Sequence, residues 1–103
     1  RSFLYIEECL NGVMALMNSD HTGPYNIGSD EMVTINTLVD YAAKAAQKTV
    51  SIHHIDGPLG VRGRNSDNGL ISHDIGWQPN YPLQQGIDHT YQWILSQIHE
   101  SNA

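Results

Sequence analysis

Cationic side chains are scarce in this chain of 103 residues: five Lys+Arg stand against 11 Asp+Glu, for a formal net charge of -6. That balance argues against nucleic acid as a partner, because such binding needs several Lys or Arg to neutralise phosphates and release their counterions. Cysteine is scarcer still. The lone Cys9 forms no internal disulfide, so nothing demands an oxidising compartment, and a cytoplasmic location is the expectation. No apolar run approaches the ~20 residues needed to cross a bilayer as a helix, so no membrane association is expected. Position 1 is Arg rather than Met and no charged-then-apolar leader precedes the first element, so a stretch upstream is expected to be missing.

What is there reads as one folded unit. An apolar content of 40% with two Trp excludes a low-complexity chain. A single domain spanning 1–103 is the expectation, burying roughly 60–70% of the surface of its unfolded chain, enough for a core but not for a spacious internal active site.

Ile6, Cys9, Leu10, Val13, Leu16 and Met17 recur at three- and four-residue steps, which predicts a helix from about Ile6 to Asn18 with Gly12 at a close-packing position. Ser2-Phe3-Leu4-Tyr5 reads as extended and Tyr25-Asn26-Ile27 as a short strand. Thr34 is a candidate N-cap for a second helix, whose apolar face is Ile35, Leu38, Val39, Ala42 and Ala46 and which ends near Lys48. Val50 to Ile55 alternates and is rich in β-branched residues, so a strand is expected there. A short third helix, capped by Asp67 and closed by Gly76, follows. Pro82 suits the first turn of a last helix whose apolar face runs from Leu83 through Ile87, Tyr91, Ile94 and Leu95 to Ile98. These elements predict an α/β lobe of three to four helices and a few short strands, too little sheet to stand as a complete α/β domain.

Against that background the stretch GPLGVRGRNSDN, Gly57 to Asn68, stands out, because it concentrates Arg62 and Arg64 among glycines in an acidic chain. Guanidinium is a planar, permanently charged fork that matches the paired oxygens of phosphate or carboxylate. Gly57, Gly60 and Gly63 would let backbone approach a ligand, and a helix N-terminus near Asn68 would favour an anion. Surface pairing of the two arginines with Asp56 and Asp67 explains the same residues, and periodicity does not separate the readings. Six histidines invite a metal, yet His53 and His54 would point to opposite faces of a strand, and His21, His73, His89 and His99 lack ligand spacing, so no metal site is expected. Cys9 reads as a structural thiol, Trp77 and Trp93 as core, and Glu7 and Glu8 as diverging carboxylates. No catalytic constellation can be assembled from these residues.

Taken in order, RSFLYIEEC, then Tyr25-Asn26-Ile27-Gly28-Ser29, then GPLGVRGRNSDN, then Gly76-Trp77-Gln78-Pro79, then Leu83, Gly86-Ile87, Thr90 and Trp93 resemble the C-terminal part of the nucleotide-sugar epimerases and dehydratases. These are extended short-chain dehydrogenase/reductase enzymes, and the arginine-loop stretch is most similar to their GDP-mannose epimerase branch. The resemblance implies the C-terminal, substrate-binding lobe of such an enzyme, whose N-terminal Rossmann domain would bind NAD and supply the catalytic Tyr and Lys. It implies that Arg64, with Arg1 and less directly Arg62, contacts the diphosphate of a GDP-sugar. It also implies that Cys9 is not the family's catalytic cysteine. The chain contains no glycine-rich cofactor fingerprint after a strand and no Tyr-x-x-x-Lys, so by itself it is expected to bind no cofactor, to catalyse nothing and to hold a GDP-sugar weakly. Its expected partners are the missing Rossmann domain or a second copy docked through an exposed apolar face. The alternative reading is a stand-alone interaction or dimerisation module derived from that lobe.

Overall fold

The computed structural model describes residues 1–101 and contains four helices: α1 (Ile6–Met17), α2 (Ile35–Ala46), α3 (Gly69–Ile75) and α4 (Leu83–Ser101). Two of them, α2 and α3, start where local chemistry satisfies an orphan N–H group. The Thr34 hydroxyl accepts the Thr37 N–H at 3.0 Å at the head of α2, as the spacing predicts. At the head of α3 the Asp67 carboxylate accepts the Gly69 N–H at 3.0 Å, while Asn68 takes the cap position itself. Gly76 closes α3 at φ 80°, a left-handed conformation that costs glycine nothing. α2 stops at Ala46, short of Lys48, because Gln47 turns left-handed at φ 55°.

The expected strands do not form. Among the described residues no β-strand exists, and the single bridge pairs Ser2 with Met32 in antiparallel fashion. Val50 to Ile55 is exposed along its whole length. A strand pattern specifies a side-chain alternation, but a strand exists only where another backbone offers its donors and acceptors. The lobe is therefore helical, with extended connections where the α/β expectation placed strands.

α2 packs against α4. α1 and α3 are tied in through the segments between them. Gly12 sits so close to Ile27 and Trp77 that an added Cβ would lie 3.0 Å from each, which places Trp77 against the middle of α1. The buried apolar core is small, consisting of Ile71, Trp77 and Leu83. Trp93, expected in the core, is 63% exposed. The apolar stripe of α1 likewise faces outward at Ile6, Leu10, Val13, Met14 and Met17, and the side that α1 buries is that of Glu8 and Gly12. The Cα radius of gyration is 16.7 Å, against about 13 Å for a compact domain of this length. Both observations describe elements that lack part of the packing their apolar faces are built for. Among the described residues no helix is long and apolar enough to cross a membrane.

Candidate functional site

The arginine loop is ordered from its C-terminal end. Arg1 pairs with Val33 in both directions, backbone N–H to carbonyl, at 2.9 Å each way. The next residue, Ser2, donates its N–H to the Arg64 carbonyl at 3.2 Å. Residues 1–2 thus lie between the 32–33 segment and Arg64, a short ladder that takes the place of a sheet. Ser66 donates its N–H to the Ser29 carbonyl at 3.2 Å, and the Asn68 side-chain amide donates to the Gly28 carbonyl at 2.8 Å. The Ser66 hydroxyl in turn donates to Asn68 Oδ1 at 2.7 Å. Only glycine fits at position 28, because a Cβ there would lie 2.5 Å from the Ser66 Cβ. Gly57 and Gly60 meet nothing in the structure, and neither adopts a positive φ.

α3 is clamped to the preceding segment at its far end as well. The Tyr25 hydroxyl donates to Asp74 Oδ2 at 2.7 Å, His73 Nδ1 lies 2.8 Å from Asp74 Oδ1, and His21 Nδ1 stands 4.0 Å from Oδ2. Hydrogen bonds from His73 and then Tyr25 hold the Asp74 carboxyl below its ordinary range, and the bond to Asp74, with some burial, raises the Tyr25 phenol above its own. The segment 25–29 therefore grips both ends of α3, and through Ser66 it positions the arginine loop.

Arg1 and Arg62 line the same open concavity, about 460 Å3, together with Met32, Val33, Thr34 and Val61. Arg64 is not among the lining residues, and what ties it to Ser2 is its backbone carbonyl, not its guanidinium. Among the described residues no arginine lies within 4.0 Å of a carboxylate, the ion pairs there being those of His21 and His73 with Asp74. The pairing of Arg62 and Arg64 with Asp56 and Asp67 is thus not what the structure contains. A guanidinium without a carboxylate partner retains its capacity for bidentate bonds to an anion. The expected contribution of a helix N-terminus is weaker than anticipated, since α3 has only seven residues and Asp67 already occupies its first N–H.

Two carboxylates hold the α4 entrance, a role that the sequence pattern did not give either of them. Glu8, 5% exposed, accepts the Asn80 N–H at 2.6 Å and the Tyr81 N–H through the same oxygen, and Glu31 accepts the Leu83 N–H at 3.0 Å. Nothing local marks either residue, because the groups they satisfy are more than 50 positions away. Among the described residues no group of three or more His, Cys, Asp and Glu is placed to hold a metal ion. Cys9 is half-buried in α1.

No protein-family model matches the chain. It is 50% identical over all 103 of its residues to the GDP-mannose 3,5-epimerase of Arabidopsis thaliana. It is 49% identical, again over 103 residues, to GDP-mannose 3,5-epimerase 1 of Oryza sativa subsp. indica. The chain spans 27% of the length of each of these relatives. UDP-glucuronic acid decarboxylase 6 of Arabidopsis thaliana is 32% identical over 88 residues, covering 84% of this chain and 26% of that protein. Over its whole length, therefore, the chain matches the C-terminal part of the GDP-mannose 3,5-epimerases, and over 84% of its length it matches, more distantly, a part of a UDP-glucuronic acid decarboxylase.

Proposed function

We propose that these 103 residues are the substrate-binding lobe of an NAD-dependent nucleotide-sugar epimerase of the GDP-mannose type, in which Arg64, Arg1 and Arg62 hold the ligand's diphosphate. The observation that carries the reading is electrostatic. In a chain of net charge -6, three of five cations gather around residues 1–2 and 61–64, and two of them line one open concavity without a carboxylate partner among the described residues. Charge-assisted hydrogen bonds of about 1.5–3 kcal/mol each act against an association cost of several kcal/mol. On this lobe alone, the balance gives an affinity for GDP-sugars no better than about 1 mM, or roughly -4 kcal/mol.

The catalytic step is assigned elsewhere. The chain holds neither a glycine-rich dinucleotide fingerprint nor a Tyr-x-x-x-Lys, so NAD and the acid/base groups belong to a Rossmann domain outside these residues. The outward-facing stripe of α1 and the exposed Trp93 and Ile98 of α4 supply apolar surface for such a domain to cover. The role of this lobe is to orient the ligand and close over it. Titration with GDP-mannose while amide chemical shifts are followed tests the reading. Perturbations are expected at residues 1–2, 32–34 and 61–66, and they disappear in Arg64→Ala. Shifts scattered over the whole surface, or unaltered in that variant, defeat it.

A further inference from the structure

Asn68 stands at the N-cap position of α3, and its backbone carbonyl accepts the Ser72 N–H at 3.0 Å. An Asn in that position ordinarily turns its side chain to an orphan N–H of the first turn, a role that Asp and Ser fill about equally well. Asn68 does not. Its side chain caps nothing, and the neighbouring Asp67 takes the Gly69 N–H instead. The Asn68 carboxamide turns back toward the preceding segment, donating to the Gly28 carbonyl at 2.8 Å and accepting from the Ser66 hydroxyl at 2.7 Å. Ser66 and Asn68 are also half-buried, whereas every other residue from Gln47 to Leu70 is exposed.

We infer that Asn68 is a positioning residue for Arg64: its carboxamide, acting through Ser66 and the 28–29 backbone, fixes the arginine loop in the place from which Arg64 meets an anion. The inference rests on the diphosphate reading of the arginines and names the side chain that holds one of them ready. The chemistry at position 68 demands an amide. A backbone carbonyl only accepts, so the group facing Gly28 must donate, while the group beside it accepts from Ser66, and a carboxamide does both at once. Asp has the same shape but would set a second oxygen against the Gly28 carbonyl, and Ser is too short to reach it. Ser66, oriented by Asn68, donates its own N–H to the Ser29 carbonyl at 3.2 Å. On the other side of the loop the Arg64 carbonyl accepts the Ser2 N–H at 3.2 Å. Arg64 is therefore held from both directions, and Asn68 closes the one toward α3. The fit leaves no slack, since a Cβ at position 28 would lie 2.5 Å from the Ser66 Cβ. A cation fixed before its ligand arrives loses less freedom on binding, which is what such a fastening contributes to affinity.

The test compares Asn68→Ser and Asn68→Asp with the unaltered chain. Both replacements serve a helix N-cap about as well as Asn, so a residue that only started α3 would tolerate either. Backbone 15N order parameters at residues 64–66 are measured without ligand, and inorganic pyrophosphate is then titrated and followed by 31P shifts. In both variants the order parameters are expected to fall from about 0.85, the value of rigid backbone, to below about 0.6, with helix content by circular dichroism unchanged. Pyrophosphate binding should weaken about fivefold in Asn68→Ser, the ratio that one net hydrogen bond supplies. The neutral Ser variant carries the affinity comparison, because Asp adds a charge that repels the anion. Asp keeps the shape of the side chain and so guards the order measurement against a Ser variant that fails to fold. Order retained at 64–66 in either variant overturns the inference, and so does unchanged pyrophosphate affinity in Asn68→Ser. Failure of the unaltered chain to bind pyrophosphate, with residues 64–66 loosened in both variants, overturns the diphosphate reading and leaves Asn68 as the residue that fixes the loop.

Discussion

Replacing Glu8 tests how a chain with so small an apolar core is held together. Its side chain is 5% exposed and one oxygen accepts two backbone N–H groups, those of Asn80 and Tyr81, just ahead of α4. Hydrogen bonds to a charged acceptor contribute about 1.5–3 kcal/mol each, and burying the carboxylate offsets part of that sum. Glu8→Ala removes the acceptor and leaves both N–H groups without it, for a net loss of about 2–4 kcal/mol. Glu8→Gln keeps an acceptor oxygen in the same place without the charge, and should lose only about 1 kcal/mol. Urea unfolding followed by Trp fluorescence measures this, because Trp77 is buried and Trp93, 63% exposed, changes little. With a slope of about 1 kcal/mol per molar for a small domain, the midpoint of Glu8→Ala falls by about 2 M or more at unchanged slope. A fall of under about 0.5 M, or equal losses for Ala and Gln, would refute the idea that a buried charge fastens α1 to the α4 entrance.

Three further outcomes follow from the same packing. Gly28→Ala places a Cβ 2.5 Å from the Ser66 Cβ, so it should displace the 65–68 segment and weaken GDP-mannose binding, with helix content by circular dichroism unchanged. Asp74 is held below its ordinary range by His73 and Tyr25, so the folded carboxyl binds its proton less readily than the unfolded one. The stabilisation is therefore fully present above the unfolded value and is lost as pH falls through the folded one, and Asp74→Asn should remove that part of the acid dependence in unfolding curves taken from pH 6 to pH 2. Gly86→Ala gains about 1 kcal/mol of helix propensity but puts a Cβ 3.0 Å from Tyr5. A net loss of stability on thermal unfolding is expected, and a gain would show that Tyr5 moves aside freely.

Helices were legible because their signals are local. The three- and four-residue spacing of apolar residues set α1, α2 and α4 to within a few residues, and Thr34, Asp67 and Gly76 marked ends by chemistry contained in one turn. Strands were not legible because Val50 to Ile55 carries the right alternation but meets no partner backbone among the described residues. The direction of the α1 stripe was equally hidden. Periodicity shows that Ile6, Leu10, Val13 and Met17 share a face but not whether anything in these 103 residues covers it. Arg1, Arg62 and Arg64 stood out as cations in an acidic chain, and the structure adds the two-way pairing of Arg1 with Val33 and the bond from Ser2 to Arg64 that bring distant positions together. Glu8 read only as a carboxylate diverging from Glu7, and its anchoring role was hidden because its partners lie 72 and 73 residues away, a separation no sequence window spans.

The phosphorus nuclei of the ligand report on the central claim without relying on any protein signal. In a 31P titration of GDP-mannose into the chain at low salt, both phosphorus resonances are expected to shift with an apparent Kd no tighter than about 1 mM. The shift should weaken as salt is raised and vanish in Arg64→Ala. Phosphorus resonances that stay in place, or that move equally with Arg64 and with Ala at position 64, would contradict the assignment of the diphosphate to this loop.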